Sequence, residues 1–468
     1  MKILFHLLSA IYISVSLTSV CKAEANTTGE YIKTIIEQKF ADKNMVVGVS
    51  IVFYEKSKAS FYNYGRANKD INELVTSEHI FEIGSITKTF TTAILAELVN
   101  KGVVDLNDPV AQYLPETIMM PQRHGKQISL LDLATHHSGL PRNPTNMPLK
   151  DLGNPFKHYS VHDMYDFLNG YKLSRDIGEK FEYSNIGMGL LGHVLSLKTG
   201  KKYSELVHDF IFKPLKMTSS FIDVPPTHQA MIASGYNTDL SYLDHWQMPT
   251  LAGAGAIKSS AMDMLVYLKA NLINDSPIDQ ALKLSHEIYD DTPEAGAKIG
   301  LAWNLKTSGE TSYYWHNGQI GGFHAFIGFN KLTDKGLVIL ANSRHDFDPI
   351  GHSYLNGTLK QLAFLNSNKE VELSIETLVQ LKGEYEIGPN FSIKVSVEKG
   401  QLYVQATNQP RFPIFAISKT RFFLKVVEAD IEFEVDEVGN GVALTLIQNN
   451  QVIKGQRQPL ISTNPNVQ

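Results

Sequence analysis

The chain has 468 residues, a formal net charge of −5 and 43% hydrophobic residues. The weakly acidic balance leaves no electrostatic footprint for nucleic acid, and the length is ample for a large core plus a second domain. Cys21 is the only cysteine, so a chain cleaved after Ala23 would contain no disulfide.

The N-terminus carries Lys2, an apolar run from Ile3 to about Leu17, and the small residues Ala23 and Ala25. That order predicts a cleavable signal peptide, residues 1–23 or 1–25, and a periplasmic or secreted mature protein. His6 and the serines make the run a poor membrane span, Val20 is a poor residue to precede a lipoprotein cysteine, and no second stretch is apolar and long enough to cross a bilayer. Val46–Tyr54 and Ser60–Tyr64 are rich in β-branched and aromatic residues and read as two early strands. Ser85-Ile86-Thr87-Lys88 then opens a helical pattern through Phe90, Ala93, Ile94, Leu95, Leu98 and Val99, closed by Gly102.

Positions i and i+3 share a helix face, so the Lys88 amine can approach the Ser85 hydroxyl. Taken alone, such a pair is most often two residues on a solvated face. The helix-rich middle runs to about Ile273 and includes a loop from Pro141 to Tyr159 with four prolines, the kind of long loop that shapes a cleft. Gly187 to Gly192 spells G-x-G-x-x-G, but no apolar strand leads into it. Leu190, Leu191, Val194, Leu195 and Leu197 read as a buried helix whose glycines allow close packing, not as a dinucleotide site. Tyr313–Trp315, Phe323–Asn330 and Gly336–Ala341 are late strands. Strands, then helices, then strands suggest an α/β (α+β) domain, residues 28–365, with one antiparallel sheet flanked by helices.

A polar stretch, Asn366 to Leu373, precedes six short strands: one at Gly383-Glu384-Tyr385, then Phe391–Glu398, Gln401–Ala406, Arg421–Val427, Ile431–Val435 and Val442–Gln448. These predict a small all-β barrel or sandwich at 374–460. There is no G-x-S-x-G elbow and no H-E-x-x-H, and pairs such as His136-His137 lack a partner set with zinc-ligand spacing. No metal and no cofactor are expected.

Two further motifs change the weight of Ser85-x-x-Lys88. Tyr183-Ser184-Asn185 and His316-Asn317-Gly318 follow in order, and the set resembles the S-x-x-K, Y-x-N, K/H-x-G signature of the penicillin-binding protein and serine β-lactamase superfamily. Thr135 to Pro141, Ile211 to Met217 and Gly321 to Asn342 resemble flanking segments of the same superfamily. The variant is similar to the serine D-Ala-D-Ala carboxypeptidases of the class C-like branch and to related D-aminopeptidases and esterases. The barrel resembles the lipocalin-like C-terminal domain of many members, whose part here is open between capping the site, oligomerisation (a homo-oligomer) and structural support.

The resemblance implies an acyl-enzyme on Ser85, with Lys88 and Tyr183 as the acid–base groups and either of them the base. It also implies backbone N–H groups of Ser85 and Gln319 as the oxyanion hole, and Asn185, His316 and Gly318 lining the substrate. Asn185 suits an acyl-side amide, and Gly318 lets the strand approach closely. Lys88 would need burial and a nearby cation to lower its pKa, while His316 is expected to titrate near pH 6.5 unless its surroundings shift it. Class C β-lactamases usually have lysine where His316 stands, which weighs against efficient β-lactam hydrolysis. Three functions follow: a peptidase acting on D-amino-acid peptides such as peptidoglycan fragments, a β-lactamase or promiscuous esterase, and a non-catalytic penicillin-binding sensor.

Overall fold

The computed structural model describes residues 20–39, 48–148, 150–151, 153–273, 275–294, 296–367, 370–388, 391–407, 409–425, 429–448 and 451–458. Among the described residues, those from 48 to 358 form one compact unit, and those at 20–39 together with those from 359 to 458 form another. The sequence reading carried the first domain from 28 to 365; the two divisions differ in their assignment of the helices Val20–Lys39 and Leu359–Ser367. The apolar run of the expected signal peptide lies outside the described residues.

The larger unit is built on an eight-stranded sheet. Its strands are β1 (Val49–Glu55), β2 (Lys58–Tyr64), β3 (Asp290–Asp291), β4 (Ala297–Ile299), β5 (Asn304–Ser308), β6 (Thr311–Ile320), β7 (Phe323–Asn330) and β8 (Lys335–Ala341). The order is β3-β4-β5-β6-β7-β8-β1-β2, with every pair antiparallel. The N-terminal hairpin thus closes onto the last strand, Val49 opposite Ala341. β7 is buried along its whole length, which requires both sheet faces to be covered.

The covering helices are identified by what the strand residues touch. The helices used below are α1 (Thr87–Asn100), α2 (Asn185–Thr199), α3 (Ala252–Gly255), α4 (Ala261–Ile273) and α5 (Asp348–Leu355). Phe326 of β7 faces α5, where Gly351 leaves no room for a side chain, a Cβ there lying 2.3 Å from the Phe326 ring. Phe329, on the opposite face by strand alternation, packs edge-on against Trp303 at 5.2 Å. Its register partner Gly336 meets Leu268 of α4.

Helix α1 is buried on nearly all sides, from Thr87 to Leu98, as a central core helix must be. Its threonines satisfy their hydroxyls internally: Thr91 donates to Gly253 O at 2.7 Å and Thr92 to Leu301 O at 2.9 Å. The G-x-G-x-x-G segment is helical, inside α2. A Cβ at Gly189 would lie 2.4 Å from Leu251, and one at Gly192 would lie 3.1 Å from Gly253 Cα, so these glycines let α3 approach α2 closely.

In the other unit, β9 (Gly383–Gly388), β10 (Phe391–Glu398), β11 (Gln401–Ala406), β12 (Phe412–Ala416), β13 (Arg421–Phe423), β14 (Ala429–Val435), β15 (Gly441–Gln448) and β16 (Gln451–Arg457) close into an eight-stranded barrel. Tyr385 opposite Arg457 seals it. The sequence reading found six of these strands. It passed over β12, where Pro413 interrupts the pattern, and β16, which is polar and carries Gly455 against Glu386 and Ile387 of β9. The strand expected to run from Arg421 to Val427 ends at Phe423, and Val426 and Val427 lie outside the described residues.

Trp303 is fully buried among Tyr267, His286 and Phe329. Trp303→Ala is expected to lower the unfolding free energy of the larger unit by about 3–5 kcal/mol, read from denaturant midpoints at unchanged slope.

Candidate active site

Ser85 sits in a single 3₁₀ turn, Gly84–Ile86, between the short strand Ile80–Glu82 and helix α1. Gly84 takes φ +51°, and this turn presses against the outer edge of β6. That edge is open because β5 pairs with β6 only as far as Asn304 opposite Trp315. A Cβ on Gly318 would stand 2.0 Å from Ile83 O and 3.0 Å from Ser85 N, so only glycine fits there. The hairpin turn Gly321-Gly322 fixes the direction of the neighbouring amide. Counting back from the pair Ile320–Phe323, ladder N–H groups alternate, and that of Gln319 faces away from β7 towards the Ser85 turn. The N–H groups of Ser85 and Gln319 therefore flank the Gly84–Gly318 contact.

Lys88 lies one turn into the same helical stretch and is fully buried. Its Nζ is 2.9 Å from Ser85 Oγ, 2.9 Å from Asn185 Oδ1 and 2.7 Å from Ala254 O. Two of these three partners are carbonyl oxygens, which only accept, whereas the serine hydroxyl can donate. Burial, and then the charge of Arg142, push the Lys88 pKa well below the usual lysine value. A neutral amine with both N–H groups on carbonyl oxygens aims its lone pair at Ser85 Oγ.

Tyr183 and Asn185 rest on the Thr135–Asn143 loop. His136, at φ +64°, accepts the Ser184 N–H on Nδ1 at 3.1 Å and the Glu182 N–H on its carbonyl at 2.8 Å, bracketing Tyr183. Ser184 caps α2, taking the Gly187 N–H at 2.9 Å and donating its own hydroxyl to Pro141 O. The Asn185 N–H bonds Arg142 O at 2.7 Å, and its side-chain amide donates to Asn143 Oδ1 at 2.9 Å. Over the Tyr183 ring stand Lys88 Nζ at 4.7 Å and the Arg142 guanidinium at 4.9 Å. Burial raises the Tyr183 pKa above its ordinary value, opposed by a hydrogen bond with Ser85 and by Arg142. The phenol is therefore protonated at neutral pH.

His316 departs from its expected titration near pH 6.5. It is 1% exposed, and burial above all lowers its pKa to about 4. Nδ1 lies 2.6 Å from Asn317 O, an obligate acceptor, so Nδ1 carries the proton and Nε2 the lone pair. His316 is thus a neutral acceptor at working pH and supplies no cation for a Tyr183 phenolate or a substrate carboxylate. Behind it, the Asn317 amide donates to Asp348 Oδ2 at 2.5 Å, and the other oxygen of Asp348 faces His324 Nε2 at 3.2 Å. Arg142, Asn143, Asp348 and the Ala254 carbonyl are absent from the sequence reading. Arg142, directly after the Ser138-Gly139-Leu140-Pro141 run, was within reach of it; a backbone carbonyl leaves no side-chain signal.

Two outcomes follow. ¹⁵N chemical shifts of labelled histidine should show His316 as the neutral Nδ1–H tautomer at neutral pH, with half-protonation only near pH 4; a midpoint near 6.5 would contradict this environment. Gly318→Ala should part β6 from the Ser85 turn and slow any reaction at Ser85 that draws on both N–H groups by about 10²–10³-fold, the scale of one lost donor of that kind.

Residues 35–356 match the Beta-lactamase family, and residues 367–457 match a domain of unknown function, DUF3471. The chain is 27% identical to a beta-lactamase of Pseudomonas fluorescens over 64% of this chain and 89% of that protein. It is also 27% identical to the D-alanyl-D-alanine-carboxypeptidase/endopeptidase AmpH of Escherichia coli, over 71% and 90%. Among solved structures, a class C beta lactamase from Rhodobacter sphaeroides superposes with a TM-score of 0.61 at 25% identity, over 72% of this chain and 98% of that one. A beta-lactamase/D-alanine carboxypeptidase from Yersinia pestis superposes with a TM-score of 0.64 at 23% identity, over 72% and 99%, a likeness of fold. With a family match spanning more than half of its length, the chain belongs to the Beta-lactamase family and is a serine hydrolase of the β-lactamase and DD-peptidase superfamily.

Proposed function

We propose that this protein is an exported peptidase, a D-Ala-D-Ala carboxypeptidase or D-amino-acid-specific peptidase, working through a penicillin-sensitive acyl-enzyme on Ser85. The observation that carries the reading is the three-way hold on Lys88 Nζ by Ser85 Oγ, Asn185 Oδ1 and Ala254 O. In this reading neutral Lys88 takes the Ser85 proton as Oγ attacks the substrate carbonyl. The oxyanion is met by the Ser85 and Gln319 N–H groups, each donor contributing about 2.7–4 kcal/mol. Protonated Tyr183 hands its proton to the leaving amine and is re-protonated by the Lys88 ammonium. Water then attacks the acyl-enzyme through the same relay, returning Ser85. Asn185, His316 and Gly318 line the substrate, Asn185 on the acyl side.

The choice of a peptidase is supported by His316, a neutral acceptor where class C β-lactamases usually place lysine, and by the relative named as a carboxypeptidase/endopeptidase. A class C-like β-lactamase or promiscuous esterase is the second reading, supported by a relative of equal identity named as a beta-lactamase. Export is supported by the apolar run ahead of Ala23. Among the described residues, no helix is long and apolar enough to cross a membrane.

Ser85→Ala should abolish covalent labelling by a fluorescent penicillin while circular dichroism stays native; persistent labelling would overturn the assignment. Lys88→Ala and Tyr183→Phe should each slow acylation by about 10²–10⁴-fold, with a double variant little worse than either alone. Intact-mass spectra over time after penicillin treatment separate the two readings: a lasting adduct marks a carboxypeptidase, rapid return to the free mass a β-lactamase.

A further inference from the structure

Among the basic side chains at the site, Lys88, His316 and Arg142 differ in what they can offer a charged substrate. Lys88 is fully enclosed and its nitrogen is taken up by protein oxygens. His316 is buried with Nδ1 bound to Asn317 O. Arg142 is exposed, and its guanidinium is charged at every working pH. Its backbone is fixed, since its carbonyl takes the Asn185 N–H at 2.7 Å, and its guanidinium lies over the Tyr183 ring at 4.9 Å.

Stacking on a ring leaves a guanidinium's N–H fork free to meet a carboxylate in its plane. The neighbouring acid on this segment, Glu182, is engaged by Arg175, and no described carboxylate pairs with Arg142. Its charge also reaches inwards, where it opposes protonation of both Lys88 and His136. On the Tyr183–Asn185 side, the fixed positive charge is therefore that of Arg142, and His316 adds none.

We propose that Arg142 is a specificity-determining residue that receives a carboxylate on the acyl side of the substrate, so that the preferred substrates are peptides or esters of D-residues with an anionic acyl group. The inference rests on Ser85 as the nucleophile and on Asn185 as the acyl-side group. A second exposed arginine, Arg344, lies beside the Gln319 end of β6, its carbonyl accepting from Gln319 Nε2 at 3.2 Å, and it serves as the comparison.

The test uses the full chain and two penicillins that differ by one acyl-side carboxylate, carbenicillin and benzylpenicillin. The second-order rate constant of acylation is followed by intact mass. The native protein should favour carbenicillin by about fivefold, the upper end of an exposed ion pair. Arg142→Gln should bring the ratio to about one, Arg142→Lys should keep part of the preference, and Arg344→Gln should keep the native ratio. Equal rates in the native protein, a ratio untouched by Arg142→Gln, or a ratio lost only in Arg344→Gln would overturn the proposal. Ser85→Ala separates the two levels. Adducts that persist in that variant would sink the nucleophile assignment, whereas their loss together with equal native rates would sink only the role of Arg142.

Discussion

A lysine amine enclosed in the core, with carbonyl oxygens on two of its three contacts, is the constraint on which the rest of the site depends. An isolated ammonium could not be buried there cheaply, and the surroundings answer by favouring the neutral amine. Each contact then requires its own support. Asn185 must open α2, which the Ser184 cap and the Thr135–Asn143 loop arrange. Ala254 must come close to α1, which Gly189 and Gly192 permit by letting α3 lie against α2. The threonine hydroxyls of α1 bind Gly253 and Leu301 and keep this polar helix satisfied inside an apolar core.

The second wall is a sheet edge. β6 outruns its neighbour β5, and the open segment from His316 to Ile320 meets the Ser85 turn at two glycines, Gly84 and Gly318, where any side chain would force the elements apart. That contact sets where two backbone N–H groups stand. Placing His316 in the same buried edge removes its charge. A lysine at this position would bring a long, flexible cation to the strand, whereas this histidine brings a fixed acceptor, and the charge open to substrate belongs to Arg142 instead.

How much of this was legible in the sequence depended on the kind of signal. β7, β10 and β11 have the bounds their alternation or apolar runs predict. β6 was read only at Tyr313–Trp315, because His316-Asn317-Gly318 has no strand propensity, and its pairing with β7 overrides that local preference. β12 and β16 were hidden by a proline and by polar residues that only barrel closure makes into strands. Spacing brought out Ser85 and Lys88, and the motif order brought out Tyr183, Asn185 and His316, all of which lie together in the structure. Protonation was not legible: the titration expected of His316 is a property of an exposed ring, and burial appears in no motif. The Ala254 carbonyl was equally silent, since every residue has one.

The central claim is that burial disfavours the charged form of the Lys88 amine in the resting protein. ¹³C NMR of lysine labelled at Cε, with the Lys88 signal identified by its loss in Lys88→Met, measures this directly. The account predicts that this one signal titrates well below the ordinary lysine value of 10.5. A Lys88 signal that titrates at or above that value would contradict it.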